Sequence, residues 1–204
     1  MKYLALAGWL LSQSLYAQHY EKTLKQCIEN FREGLGQFTK ESAESEIERR
    51  YEVLNQCIRG QKFPAFRMST YDGHKFNSEE NKGKVVLLNF WFTKSPTSVA
   101  AIPYLNDLAE EYKDQDFIIL AFAADAFTAL SAFLKENPVK YPVFEKSRDL
   151  INHQFNTLLG YPTNIILNKK GEVVDYKVGG GLKEEELQRD KEKIKRIIEE
   201  ELVK

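Results

Sequence analysis

The sequence is poor in several features that would each indicate a particular function. Its 29 Lys and Arg nearly balance 30 Asp and Glu, for a net charge of -1, and no long block of one sign is present. Nucleic-acid binding requires a concentrated basic surface, which this composition does not supply. The three histidines and two cysteines lack the spacing of metal ligands. We therefore predict no nucleic-acid partner, no metal and no cofactor.

The sequence also lacks an apolar run of the ~20 residues that a membrane-spanning helix needs. The run Tyr3 to Leu11 follows Met1-Lys2 and precedes a more polar stretch at 12–18, which is the order found in secretory signals. We predict a signal peptide over residues 1–17, with export to the periplasm or cell envelope and no stable membrane span after cleavage. An uncleaved N-terminal anchor helix is the alternative.

Residues 18–60 lack any strand pattern, and their apolar residues recur at helical spacing. They are Tyr20, Leu24, Cys27, Ile28, Phe31 and Leu35, followed by Ile47, Tyr51, Leu54 and Ile58. We predict a small hairpin of two amphipathic helices. Gly36 is suited to end the first helix, and Ser42 can cap the second, with Glu44 and Glu46 in its first turn.

The two cysteines, Cys27 and Cys57, lie in different helices of this predicted hairpin. Residue 42 is their midpoint, so an antiparallel hairpin places them at about the same height. We predict a structural disulfide, with two free buried thiols or a working redox pair as alternatives. Neither cysteine lies at a predicted helix N-terminus or in a Cys-x-x-Cys turn, the settings that activate thiols.

Beyond residue 60 the pattern changes to short β segments that alternate with helices. The predicted strands are Phe66–Ser69, His74–Asn77, Val85–Trp91, Phe117–Ala123, Tyr141–Phe144, Thr163–Leu167 and Glu172–Val178. The predicted helices are Pro96–Lys113, Thr128–Asn137, Asp149–Leu158 and a terminal helix from Lys183. Continuous apolar strands between helices are typical of an α/β sheet covered on both faces.

A turn reading Ser95-Pro96-Thr97-Ser98 joins the strand Val85–Trp91 to the next helix. Ser95 is suited to cap this helix, and Pro96 to occupy its first position. A nucleophilic serine would need a nearby base and usually a Gly-x-Ser-x-Gly elbow, which is missing here. His153 is the candidate base, and serine hydrolysis is the less favoured interpretation.

Six segments, in this order, resemble the exported thioredoxin-like proteins of the TlpA/ResA group, within the AhpC/TSA-redoxin superfamily. They are Gly60–Phe66, Asp72-Gly73, Gly83–Trp91, Ile102–Asn106, Gly160–Thr163 and Asn168–Val173. The resemblance implies a thioredoxin-like fold over residues 61–204, with a central mixed sheet flanked by helices and an N-terminal β-hairpin. It also implies an ancestral thiol-disulfide oxidoreductase activity.

By this resemblance, Ser95 and Ser98 occupy the positions of the two redox cysteines of a Cys-Pro-x-Cys turn. A hydroxyl is a far weaker acid than a thiol and cannot form a disulfide, so the turn as written cannot carry out dithiol exchange. We therefore predict no catalytic residues in the sequence as it stands.

The resemblance further implies a cis-proline loop, at Gly160–Thr163, that faces the turn and binds an extended peptide. The candidate binding residues are Trp91, Lys94, Pro96, Tyr161 and Pro162. Trp91, Phe92 and Tyr161 form an apolar rim in this interpretation, whereas the alternative makes at least two of them core residues.

Asp125 follows the strand Phe117–Ala123, where related proteins place an acid beside their thiols. Without thiols there is no group with which this acid could exchange a proton. We therefore expect Asp125 to cap the helix Thr128–Asn137.

The leading functional hypothesis is a redox-inactive module, a pseudoenzyme, that binds a peptide or protein through the face formed by Ser95 and Pro162. The alternative is a cell-envelope thiol-disulfide oxidoreductase whose active-site cysteines were replaced by serine through engineering.

Overall fold

The computed structural model describes residues 2–33, 43–145, 147, 151, 155 and 159–204. Its helices are α1 (Lys2–Arg32), α2 (Ala43–Ile58), α3 (Pro96–Glu111), α4 (Phe127–Glu136) and α5 (Glu184–Leu202). Its strands are β1 (Arg67–Ser69), β2 (Lys75–Asn77), β3 (Val85–Trp91), β4 (Phe117–Ala123), β5 (Val143–Phe144), β6 (Thr163–Leu167) and β7 (Val173–Val178). A short 3₁₀ helix, Ser78–Asn81, follows β2.

Strands β3 to β7 form one mixed sheet in the order β5-β4-β3-β6-β7. Strands β3, β4 and β5 run parallel, whereas β6 and β7 are antiparallel to their neighbours. All seven residues of β3 are buried, as expected for a central strand covered on both faces. Strands β1 and β2 form a separate antiparallel hairpin.

Alternate residues of β3 pack into two cores, because successive side chains of a strand point to opposite faces. Val85, Leu87 and Trp91 contact the side formed by α3, α4 and α5. Val86, Leu88 and Phe90 share the other core with residues of α1 and α2. The helical hairpin is therefore part of the main core and not a separate module.

The hairpin is anchored to strand β7 by a buried polar contact. Asn55 in α2 donates a hydrogen bond of 2.8 Å to Asp175, and Lys193 of α5 lies 3.1 Å from the same carboxylate. Nearby, the Tyr20 and Phe63 rings pack edge to face at 5.1 Å. Burial, with a smaller contribution from Tyr176, raises the pKa of the Tyr20 phenol above its ordinary value.

Helix α1 begins at Lys2 and continues to Arg32, so it includes most of the segment predicted as a signal peptide. Among the described residues, no helix combines the length and apolarity required to cross a membrane. The predicted helix end at Gly36 and cap at Ser42 lie outside the described residues, as does His153. The boundaries of the predicted signal peptide and hairpin remain predictions.

Candidate functional site

The turn before α3 is built around the side chain of Ser95. Ser95 has extended backbone geometry, and its Oγ accepts a hydrogen bond of 3.3 Å from the Ser98 amide. Pro96 occupies the first turn of α3. This is the predicted N-cap, in which a serine oxygen satisfies one of the amides that a helix start leaves unpaired.

Both serines of the turn are buried, but their hydroxyls have different surroundings. Ser95 is 6% exposed, and its Oγ also lies 3.3 Å from the hydroxyl of Thr97. Ser98 is 3% exposed, and its Oγ has no hydrogen-bond partner among the described residues. A buried hydroxyl without a partner is unfavourable, whereas a less polar atom of similar size would be tolerated.

Asp125 does not cap α4, which corrects our expectation from the sequence. The helix starts at Phe127 with Ala126 as its N-cap, and no side chain caps it. Instead, Asp125 accepts hydrogen bonds of 2.8 Å from both the amide and the hydroxyl of Thr93. The carboxylate therefore connects the end of β4 to the segment that leads into Ser95.

The predicted cis peptide bond is present between Tyr161 and Pro162. The Tyr161 ring packs edge to face against Phe92 with centroids 5.2 Å apart. The Pro162 carbonyl accepts a hydrogen bond of 2.8 Å from Gly179. The cis-proline loop thus lies against the residues that follow β3.

A run of three glycines after β7 completes this face, and sequence reasoning missed it. A Cβ placed on Gly180 would lie 3.4 Å from Pro162 Cγ and 3.7 Å from the Thr97 carbonyl oxygen. A Cβ on Gly181 would overlap Glu186 at 2.2 Å. The overlap at Gly181 excludes any larger residue without rearrangement, whereas a Cβ at Gly180 would make ordinary van der Waals contacts. The repeated glycine at 179–181 was the available signal.

The sequence that forms this site matches a known protein family. The Redoxin family profile matches residues 58–194, which include the turn, the cis-proline loop and Asp125. The chain belongs to the Redoxin family.

Two relatives and one solved structure are similar to this Redoxin chain. Thiol-disulfide oxidoreductase ResA of Bacillus cereus is 32% identical over 62% of this chain and 73% of its own. Thioredoxin-like protein YneN of Bacillus subtilis is 34% identical over 62% and 75% of the two chains.

The solved structure is a thiol:disulfide interchange protein of the thioredoxin family from Chlorobium tepidum. It superposes with a TM-score of 0.60 at 25% identity, covering 71% of this chain and 97% of its own. The predicted α/β thioredoxin-like fold is therefore confirmed.

The candidate binding residues of this Redoxin chain divide between surface and core. Lys94 and Pro96 are exposed, Tyr161 is half-buried and Pro162 is buried. Trp91 is only 2% exposed and packs against Phe133 with ring centroids 5.6 Å apart. Trp91 is thus a core residue, which corrects the expectation that it forms part of the rim.

The two cysteines of the Redoxin chain precede the segment that the family profile matches. The structure joins Cys27 and Cys57 in a disulfide with a Cα–Cα distance of 5.8 Å. Cys27 is 1% exposed and belongs to the core shared by the hairpin and the sheet. No free thiol remains.

No group of three or more His, Cys, Asp or Glu side chains in the described part of the chain is arranged to hold a metal ion.

Proposed function

We propose that this protein is an exported, redox-inactive member of the Redoxin family that binds an extended peptide segment of a partner protein. In this proposal Ser95 and Ser98 occupy the positions of the family's redox cysteines. The observation that carries the proposal is the packing of Tyr161, in the cis Tyr161-Pro162 loop, against Phe92, three residues before a turn that contains no sulfur.

The chemistry of the turn supports the redox-inactive part of the proposal. Dithiol exchange proceeds through a thiolate and a mixed disulfide, which a serine hydroxyl cannot form. Ser95 Oγ is instead used as a helix cap. The Ser95 hydroxyl therefore caps the helix, but it cannot supply the thiolate that a cysteine at this position would provide.

The surface around the turn supports the binding part. Phe92 and Tyr161 offer a half-buried aromatic pair, and Lys94, two residues after Phe92 in the chain, adds an exposed positive charge. An extended segment that carries an apolar residue and an acidic residue suits this combination. Gly180 keeps the space between Pro162 and Thr97 narrow but unfilled by a side chain.

A second candidate function is disulfide exchange at Cys27–Cys57. It is favoured by the bond itself and by the oxidoreductase names of relatives such as ResA. Against it, Cys27 is 1% exposed, so of the two residues only the half-buried Cys57 could present a sulfur atom to an attacking nucleophile.

An insulin-reduction assay separates these functions. We expect no catalysed reduction by the protein, and appreciable activity would contradict the redox-inactive proposal. Activity that disappears in a Cys27→Ala/Cys57→Ala variant would support the second candidate. The Ser95→Cys/Ser98→Cys variant should gain activity if the two positions are those of the redox cysteines. Cysteine codons at 95 and 98 in the native gene would instead identify an engineered oxidoreductase.

Peptide binding is tested by selecting extended peptides from a displayed library on the immobilised protein. Selected peptides should combine an apolar residue with an acidic one, and should lose binding to Tyr161→Ala and Gly180→Leu variants. Lys135→Ala, an exposed site on α4, is the matched control. Equal binding by all variants would rule out this face. Fractionation of expressing cells tests export independently.

A further inference from the structure

A small cavity opens at the end of β3 that lies away from the Ser95 turn. Its volume is about 70 Å³, and Val86 and Leu88 of β3 contribute to its lining. Val86 is about 16 Å along the strand from Trp91, at ~3.3 Å per residue. None of the described residues that line the cavity belongs to the turn or to the cis-proline loop.

The floor of the cavity is apolar. It is formed by Phe63, Phe66, Val86, Leu88, Leu120 and Leu167. Each of these residues is at most 8% exposed. An apolar cavity of this kind has few polar partners for water, so an apolar ligand group would be favoured within it.

The mouth of the cavity is strongly cationic. Among the residues that the structure describes, five lysines line it, against a single carboxylate from Glu79. They are Lys62, Lys82, Lys84, Lys169 and Lys170. The Glu79 carboxylate is already paired with Lys82 at 2.5 Å. The remaining lysines therefore carry a positive charge that no carboxylate among the described lining residues neutralises.

Two of these lysines donate hydrogen bonds to main-chain carbonyl groups, and two others form no such bond among the described residues. Lys169 Nζ donates to the Leu202 carbonyl at 2.6 Å, and Lys62 Nζ donates to the Lys170 carbonyl. Neither Lys84 nor Lys170 forms an ion pair within the described ranges. These two ammonium groups are suited to an incoming anion, because a charge-assisted hydrogen bond is stronger than a neutral one.

We propose that this cavity binds a short aliphatic carboxylate, with the carbon chain on the apolar floor and the carboxylate between Lys84 and Lys170. A water molecule requires roughly 10–15 Å³ of such space, so the cavity holds on the order of five small groups, which suits a chain of about four carbons. The site does not depend on the proposed peptide-binding face.

The same chemistry occurs in a free branched-chain acid and at the C-terminus of a peptide that ends in an aliphatic residue. Isovalerate represents the first source, and N-acetyl-leucine represents the second. Tighter binding of one over the other identifies the source, and tight binding of either supports the site.

The test is an NMR titration of the full chain with labelled methyl groups. Isovalerate should cause saturable shifts in the methyl signals of Val86, Leu88, Leu120 and Leu167. 3-Methylbutanol, which has the same carbon chain without the charge, should bind about tenfold more weakly, because it cannot form the charge-assisted contacts. Equal binding of acid and alcohol, or shifts confined to other residues, would overturn the proposal.

Two variants locate the site. Lys84→Gln/Lys170→Gln should weaken isovalerate binding about tenfold, since two charge contacts are removed. Lys75→Gln/Lys135→Gln removes the same charge from exposed lysines elsewhere and should leave binding unchanged. Ala65→Phe, at a half-buried lining position, should fill the cavity and abolish binding with unchanged circular dichroism. Undiminished binding by the folded Lys84/Lys170 or Ala65 variant would contradict the assignment.

Discussion

The helical hairpin and the turn before α3 each bring two small polar or sulfur-bearing side chains together, but by different means. Cys27 and Cys57 are 30 residues apart in sequence and are joined covalently. Ser95 and Ser98 are neighbours on one helical turn and share a side-chain to main-chain hydrogen bond. The sulfur atoms therefore connect distant parts of the chain, while the hydroxyls act locally.

This difference has an energetic consequence. A crosslink stabilises a fold mainly by restricting the unfolded chain, and the effect increases with the length of the closed loop. A helix cap supplies one hydrogen bond, typically worth about 1 kcal/mol. We therefore expect removal of the hairpin sulfurs to cost several times more than removal of the turn hydroxyls.

The largest expected effect is in the hairpin. Cys27→Ala/Cys57→Ala should lower the free energy of unfolding by about 3 to 4 kcal/mol, because it reopens a loop of about 30 residues. Urea denaturation measures the change, and reduction of the unmodified protein should reproduce it. Ser95→Ala/Ser98→Ala is the matched control in the turn. If the cysteine variant loses no more stability than this control, the expected difference between the hairpin and the turn is absent.

The next effect concerns the carboxylate that holds the approach to the turn. Asp125→Ala removes the acceptor of two hydrogen bonds from Thr93, and should lower the free energy of unfolding by about 2 kcal/mol. Asp125→Asn should lose less, because its carbonyl oxygen can still accept one of them. Thermal unfolding compares the two variants. Equal losses would indicate that the Thr93 contacts contribute little.

A smaller effect is expected at the cap itself. Ser95→Ala should reduce stability by about 1 kcal/mol, since the Ser98 amide loses its partner. Ser95→Asp retains an acceptor at the start of α3 and should recover most of the loss. Denaturant midpoints of both variants provide the measurement, and a neutral Ser95→Ala substitution would show that solvent replaces the cap.

The smallest effect is expected three residues later. Ser98→Ala should change the free energy of unfolding by less than about 0.5 kcal/mol, or increase it, because the buried hydroxyl has no partner to lose in the part of the chain that the structure describes. Ser98→Cys should be tolerated for the same reason. A loss of 2 kcal/mol on Ser98→Ala would reveal a hydrogen bond that the structure does not contain.

The buried strands were the most predictable part of the fold. The sequence predicts β3, β4 and β6 with the same residue bounds as in the structure. For β3 and β4 the reason is that strands covered on both faces are nearly continuous apolar runs. The edge strand β5 is shorter than predicted, starting at Val143 instead of Tyr141. On one side β5 pairs with β4, and on the other it has, among the described residues, only an isolated bridge from Phe144 to Thr70, so its length depends on pairing that local sequence does not encode.

The candidate site was only partly predictable. The cap at Ser95 and the cis bond before Pro162 follow from local residue types and resemblance. The partner of Asp125 could not be predicted, because Thr93 follows β3 whereas Asp125 follows β4, and helix capping was an equally good local use for the acid. Burial of Trp91 was likewise decided by α4, which supplies Phe133.

By itself the sequence determined that the turn has no sulfur, since Ser95 and Ser98 are fixed by residue identity and a hydroxyl cannot exchange disulfides. It also determined where the central strands and the helix start lie, because apolar runs and N-caps are local signals. Only the tertiary structure decided that Gly180 lies against Pro162 and Thr97, and that five lysines surround one apolar cavity. These contacts join residues far apart in the chain, and their positions depend on how the sheet and helices pack together.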